Sequence, residues 1–480
     1  MPALPLRLSG LPLLAAALFA AALAVWQYAV RGAYQPPRLA GEDGAPAVRP
    51  ATSGEEKPLF SPPANASHAT GDGVAAAIPS SWPCFRGEDR DNVNKEAVPL
   101  ARSWPPAGPP IIWSRTMGQG HAGAAISQGR VYVIDYDEEK QRDVYLCLSL
   151  QDGREIWSYS YPMPAKPNHG ISRTVPAVSA RFVVGIGPAC HVTCLDAATG
   201  EFRWRIDLAE HFGAEVPAWY TGQCALLDGR LAILAPAGPR TLLVAVDMES
   251  GEVVWKTPNI HNSRMSHASV MPATILGRKV YVYAGTRGAV AAAAETGEVV
   301  WETSRFQWHT IVPSPLPLPD ECLLFTAGYG AKALLVRWRA KPQGVEAEVL
   351  RETAPRVFGS EQQTPILWQG RIYTILPKPR QELACFDLDL NEIWSSGPQN
   401  RFGLGPYLIA DGLIFLLQDD GTLILAEAGV DAYRFLARAK VLPGPDAWGP
   451  MALAAGRLII RDLFRMICLD VRADDSRAEP

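Results

Sequence analysis

Four stretches of this chain end on one spacing: CLSLQDGREIW (Cys147 to Trp157), CLDAATGEFRW (Cys194 to Trp204), AVDMESGEVVW (Ala245 to Trp255) and AAAAETGEVVW (Ala291 to Trp301) all close on Gly-x-x-x-Trp. Self-similarity at a fixed period constrains a fold more than any single motif, because each unit buries its apolar face only against the next copy. From Trp113 the tryptophans recur after 44, 47, 51 and 46 residues, and the 93 residues from Trp301 to Trp394 span two periods. A degenerate repeat is therefore expected between them, assigned to Cys322 through Glu352. Two weaker copies follow: CFDLDLNEIW ends on Trp394, and LILAEAGVDAYRF places Phe435 where a tryptophan is expected.

A turn and a short apolar run precede the copies, as in GRVYVI, GRLAIL, GRKVYVY, GRIYTIL and GRLIIRD. Runs this short, β-branched or aromatic and broken by Gly or Pro read as strands, and four per period is the pattern of a propeller blade. The glycine of Asp-x-x-Thr-Gly supplies the positive φ that closes a hairpin loop, and the tryptophan four residues on would lie flat over the neighbouring blade. Trp113, Trp157, Trp204, Trp255, Trp301 and Trp394 are thus predicted as structural blade anchors. The last repeat, GRLIIRDLFRMICLDV, lacks an outer strand, whereas PIIWS around Trp113 is an outer strand with no inner ones. Joined, they make one blade and close the ring. The prediction is an all-β, eight-bladed β-propeller of four-stranded antiparallel blades, or seven-bladed if the degenerate repeat is an insertion.

The remaining sequence divides around this body, residues 81–472. Leu11 to Val30 is nearly free of polar side chains and flanked by Arg7 and Arg31, so residues 1–31 read as a hydrophobic helix acting as signal anchor. The Ala22-Leu23-Ala24 pattern offers cleavage after Ala24 as the alternative, giving a secreted or periplasmic protein. Residues 32–80, rich in Pro, Ala and Gly, read as a disordered linker, and 473–480 as a polar tail. A net charge of -4 with scattered Lys and Arg gives no basic stripe, which argues against nucleic acid. Among the eight cysteines, Cys147, Cys194, Cys385 and Cys468 occupy one equivalent position in four repeats, so they are expected on separate blades as buried small side chains rather than in disulfides. Cys190-His191-x-x-Cys194 lacks both the haem-attachment order and a second ligand pair, and no metal site is assigned.

These units resemble the pyrroloquinoline-quinone (PQQ)-like propeller repeat family, whose pattern is best matched from Cys194 to Trp204. Trp82-Pro83-Cys84-Phe85-Arg86-Gly87 is similar to the W-P-x-F-R-G lead-in found ahead of many bacterial propellers of this class. The resemblance implies two kinds of function: quinone-dependent alcohol and sugar dehydrogenases, and non-catalytic scaffolds such as the outer-membrane β-barrel assembly lipoprotein. The dehydrogenase pattern includes an adjacent Cys-Cys pair and carboxylate and amide ligands for calcium. No two cysteines here are adjacent, and no Glu, Asn and Asp set matches, so no catalytic residue is carried over.

The expectation is a membrane-tethered, extracytoplasmic (periplasmic), monomeric propeller that binds protein partners in the cell envelope, with no cofactor. The alternative is a small-ligand propeller holding PQQ with calcium in its axial pocket. A carbohydrate-active propeller would need a carboxylate pair, of which only Glu361 is evident. Segments preceding the innermost strands should converge on the axial mouth, and they carry His121, Arg173, Tyr220, His267, His309, Glu361 and Trp448, a set suited to a planar anion or a peptide loop.

Overall fold

The computed structural model describes residues 61–342, 344–429 and 431–473. The apolar segment Leu11 to Val30, the start of the spacer and the tail beyond residue 473 lie outside the described residues. Among the described residues, no helix is long and apolar enough to cross a membrane.

Eight sheets follow one another along the chain, each with a core of four antiparallel strands: blade 1 spans 124–162, blade 2 177–207, blade 3 226–258, blade 4 271–303, blade 5 316–353, blade 6 366–395 and blade 7 407–440. Blade 8 is composite. Its three inner strands end at Arg465–Asp470, and its outer strand is Ile111–Thr116, paired so that Cys468 faces Trp113. The two ends of the ring are thus hydrogen-bonded into one sheet, and the degenerate repeat is a true blade.

The Gly-x-x-x-Trp spacing has a direct physical cause. Four indoles reach sideways into the hairpin loop of the following blade, where Nε1 donates to a carbonyl: Trp113 to Leu150 at 3.2 Å, Trp157 to Ala197 at 3.2 Å, Trp204 to Met248 at 2.8 Å and Trp255 to Ala294 at 3.2 Å; Trp394 lies 6.4 Å from Tyr433 of blade 7 without such a hydrogen bond. The loop glycine three residues beyond each acceptor lies against the same ring. A Cβ on Gly153, Gly200, Gly251 or Gly297 would stand 2.8, 2.5, 2.8 or 2.4 Å from the indole it covers. Glycine is needed there twice over, for its positive φ and for its missing side chain.

In all eight blades the ladder between the third and outer strands slips by one residue beside the anchor position. This bulge marks the equivalent residue where the motif is lost. In blade 7 it is Ala437, opposite Leu425, whereas Phe435 pairs with Ala426 and is 47% exposed. Phe435 therefore does not replace the tryptophan. The loop before it is longer, so counting from the loop misplaced it by two residues. Blade 7 is covered instead by the segment leading into blade 8, where Trp104 stacks on Phe415 and Gly108 packs against Ala439 and Val441. In blade 5 the position belongs to Arg351, opposite Leu335. Its Nη1 donates to the Asp389 carbonyl and, at 2.6 Å, to Asn391 Oδ1, both in the loop of blade 6. A guanidinium there makes the same interblade contact as an indole. Blade 5 has no loop to receive Trp301, which packs edge-on against Trp338 of its long outer hairpin, ring centroids 5.8 Å apart.

The lead-in of residues 81–94 closes the ring from within. Trp82 pairs with Ile126 of blade 1, the Pro83 carbonyl accepts from Val178 N of blade 2, and Arg90 Nη2 donates to Leu227 O of blade 3. Val93 pairs with Ile409 of blade 7, and Asn94 Nδ2 donates to Leu453 O of blade 8. Arg86, 3% exposed, donates to the carbonyls of Thr364 and Pro365 at the entry to blade 6 and of Arg90 and Asp91 in its own segment. Six of the eight blades are thereby strapped by one short segment.

The spacer becomes ordered sooner than its composition predicts. Ser67–Thr70 adds an antiparallel strand to the outer edge of blade 1, and Gly71 N and Gly73 N continue the bonding to Ile156 O and Glu155 O. Its side chains are all exposed, so only the backbone ladder recruits it, which composition does not reveal. The cysteines lie where the repeat alignment puts them: Cys147, Cys194, Cys385 and Cys468 face Trp157, Trp204, Trp394 and Trp113, and all eight cysteines are free and buried.

Two glycines of similar backbone conformation separate these effects. Gly200→Ala, which drives a methyl into Trp157, is expected to lower unfolding stability by about 2 to 4 kcal/mol. Gly229→Ala, with φ +57° and nothing within 4 Å of the new Cβ, is expected to lose only about 1 kcal/mol of left-handed strain. Urea midpoints at constant m compare the two.

Candidate functional site: the axial mouth

The chain enters each blade at its innermost strand, so the eight segments before those strands meet around the axis. Their base is a chain of interblade hydrogen bonds made by small polar side chains two residues ahead of the strand. Val175 N donates to Cys224 Sγ at 3.2 Å, Cys224 N to Ser269 Oγ at 2.9 Å, Ser269 N to Ser314 Oγ at 3.0 Å and Ser314 N to Thr364 Oγ1 at 2.8 Å. Blades 2 to 6 are thus stitched at the level on which the mouth stands. Cys224 serves here as an acceptor within the belt.

Above this belt the predicted residues separate into two groups. His121 is buried, its ring stacked 5.1 Å from Trp448 and 5.9 Å from His169. Neither of its ring nitrogens has a well-formed hydrogen bond, and burial followed by the charge of Arg173 holds it well below the ordinary histidine range. Arg173 is half-buried, with Nη2 donating to the carbonyls of His169 and Gly170 and Nε unpartnered. Burial lowers its pKa to about 10, and Tyr329 and Tyr220 act on it through space. No carboxylate pairs with it among the described residues. His267 lies against Trp219 with tilted rings 6.2 Å apart, and burial and Arg173 push it down to about 3.

Tyr220 and His309 take other roles. Tyr220 is buried, and its hydroxyl donates to Lys166 O at 2.8 Å, tying down the connection between blades 1 and 2. His309 is exposed, beside Trp308 and bonded through Nδ1 to Thr310 Oγ1. Glu361 is buried across the axis from blade 2, with its carboxyl raised by burial, lowered by Lys378 and raised by Asp419. Among the described residues no three His, Cys, Asp or Glu side chains are placed to share a metal ion.

Several mouth residues escaped the sequence reading. His169 stands 5.1 Å from Trp448, with its Nε2 3.6 Å from Asp446 Oδ2. Asp419 Oδ1 accepts from Trp448 Nε1 at 2.8 Å and from Leu404 N at 2.7 Å. Tyr329, 40% exposed, lies within electrostatic reach of both Arg173 and Glu361. His169 sits four residues before Arg173 and could have been found beside it; Tyr329 and Asp419 come from second-to-third strand loops. Arg173 and the histidines stand on blades 1 to 5 and Glu361, Asp419 and Asp446 on blades 6 to 8, where Lys378 acts on Glu361 and the buried Arg461 on His121.

Fold and mouth together define a closed eight-bladed propeller whose chemistry gathers at one end of its axis. The family model described as "Outer membrane protein assembly factor BamB" matches residues 106–217 and 188–429, and the chain belongs to that family. Among solved structures, BamB from Moraxella catarrhalis is similar at 14% identity and TM-score 0.53, covering 75% of this chain and 100% of that one. A europium-containing methanol dehydrogenase is similar at 12% identity and TM-score 0.59, covering 80% and 89%. The computationally designed Ika8 protein follows at 11% identity and TM-score 0.51, covering 75% and 100%. No curated protein sequence matches the chain. At such identities the structural likeness speaks for the fold.

A histidine whose folded pKa is depressed gives stability that is complete above its ordinary value of 6.5 and is lost as pH falls toward about 3. His267 is therefore expected to steepen the acid limb of stability by at most about 1.4 kcal/mol per pH unit below 6.5. His267→Gln should flatten that limb, as read from urea midpoints between pH 7 and 4.5.

Proposed function

We propose that this chain is a cell-envelope propeller that docks a protein partner at its axial mouth, with Arg173 receiving a carboxylate of that partner. The observation that carries this reading is the guanidinium itself: half-buried among His121, Tyr220 and His267, it has only carbonyl acceptors and no counter-ion among the described residues. A buried cation without a counter-ion is stabilised by an incoming anion. Trp219, Trp308 and Tyr329 around it offer the aromatic area that interface hot spots use. Glu361, Asp419 and Asp446, also at the mouth, repel a ligand of high negative charge, which favours a single carboxylate carried on a polypeptide. Membership in the assembly-factor family supports an envelope location and a protein ligand. The N-terminal apolar run supports a tether, with the propeller on the extracytoplasmic side.

The alternative, PQQ with calcium, draws on the shared fold with methanol dehydrogenase and finds less support in the residues. Asp419 is already committed to Trp448 and Leu404, and the three mouth carboxylates do not converge into a cation site.

A photo-crosslinker at Trp219 or Tyr329 is expected to capture an envelope protein, and Arg173→Glu to weaken that capture by at least about 30-fold. Saturable binding of PQQ with calcium, measured by calorimetry and lost in the same variant, would replace the docking reading with the ligand reading.

A further inference from the structure

Blades 1 and 2 meet across an interface unlike the others. It is lined by tyrosines, among them Tyr145, Tyr159 and Tyr161, and it encloses one carboxyl group. Asp143, fully buried on the strand Arg142–Ser149, accepts a hydrogen bond from Tyr161 on Oδ2 at 2.5 Å, while its Oδ1 has no well-formed hydrogen bond and the Val144 backbone N–H acts on the carboxyl weakly. The group is pressed against the backbone of blade 2: a Cβ on Gly187 would stand 2.1 Å from Asp143 Oδ2.

The titratable and charged groups around it come from every neighbouring element. Tyr145 lies on its own strand and Tyr159 and Tyr161 on the adjacent one. Asp135 comes from the strand Arg130–Asp137, and His191 and Thr193 from blade 2's strand His191–Asp196. Arg205, from Phe202–Asp207, lies with its guanidinium 4.5 Å over the Tyr161 ring and acts on Asp143 only through space. His191 is engaged by Asp207 at 3.4 Å. The hydroxyls of Tyr145, Tyr159 and Thr193 also lack well-formed partners. A buried carboxyl with one hydrogen bond and no ion pair is stable when neutral and strained when ionised.

Tyr161 stands next to the end of the outer strand Glu155–Pro162, and the chain then runs directly into residues 163–176, which carry His169 and Arg173 to the mouth. Tyrosines hold this segment: Tyr136 OH donates to Met163 O at 2.9 Å and accepts from Ala165 N at 3.1 Å, and Tyr220 OH donates to Lys166 O at 2.8 Å.

We propose that Asp143 is a proton-operated latch between blades 1 and 2, holding segment 163–176 in place while its carboxyl is protonated and loosening it when the carboxyl ionises. Its bearing on binding rests on the docking role proposed for Arg173. Burial, the largest influence, pushes Asp143 from 3.8 up to about 7. The folded protein keeps a proton that the unfolded chain releases near 3.8, so the associated stability is complete below that pH and is lost as pH rises through about 7. The loss falls on the interface next to the mouth segment.

Hydrogen exchange on the full chain, corrected for intrinsic rates, tests this. Protection of amides in 155–176 is expected to fall about tenfold between pH 5.5 and 8.5, while blades 4 to 6 stay unchanged. Asp143→Asn should remove the transition, and Tyr161→Phe, which deprives the anion of its hydrogen bond, should move the midpoint upward. A wild-type profile that is flat, a transition that survives in Asp143→Asn, or an unshifted midpoint in Tyr161→Phe would overturn the latch. Loss of crosslinking at the mouth with the exchange transition intact would overturn the docking reading alone.

Discussion

The ring depends on one contact repeated between neighbours, an indole seated in the glycine loop of the next blade. It joins two stabilisations that usually need separate residues. The ring buries about 200 Å² of apolar surface, and its N–H satisfies a loop carbonyl that would otherwise be buried unpaired. Because donor and receiver sit four residues apart in one repeat, a blade can both give and receive the contact, as blades 1, 2 and 3 do. A linear array built this way would end with one unfilled loop and one uncovered indole. The composite eighth blade removes both ends, since Trp113 on its borrowed outer strand fills the loop of blade 1.

Where the contact lapses, the fold shows what it required. Arg351 keeps the hydrogen bond to the next loop and gives up the flat apolar face, and Trp301 finds a partner in Trp338 instead of a glycine loop. Ala437 gives up both, and the polypeptide leading into blade 8 supplies the cover. The ladder slip beside the anchor position persists in all eight blades, including these two. The bulge therefore belongs to the twist of the outer strand, independent of the side chain that exploits it.

This explains what could be read from the residues in order. Period, strand content, ring closure and the equivalence of Cys147, Cys194, Cys385 and Cys468 are local constraints, repeated within each unit, and they are legible. Phe435 was misplaced because the reading counted from a loop whose length had changed, whereas the bulge that fixes register leaves no sequence mark. The lead-in of 81–94 resembled a family motif, but its grip on six blades unites residues as far apart as Arg86 and Thr364. The polar belt of Cys224, Ser269, Ser314 and Thr364 does recur two residues before the inner strands of blades 3 to 6. It escaped notice because a small polar residue before a strand is the commonest of turn signals. At the mouth, position before an inner strand does not say which way a side chain turns, and Tyr220 and His309 turn to other work.

The mouth differs from the body because different forces choose its residues. Inside a blade every position faces a neighbouring sheet, and packing at crystal-like density leaves room for little but aliphatic side chains, alanine and the anchoring ring. The crossover from an outer strand to the next inner strand is under no such demand. It needs only the belt beneath it to hold the chain, so its other side chains can include histidines, an arginine without a counter-ion and carboxylates. Those groups lower stability where they stand, and a closed ring strapped from within by 81–94 tolerates them. Similar polar chemistry enters the body at the interface of blades 1 and 2, next to the segment bearing Arg173, where Asp143 is fully buried. A carboxyl buried there weakens a contact that leucine would have strengthened, and its position next to that segment is the reason to read it as part of what the mouth does.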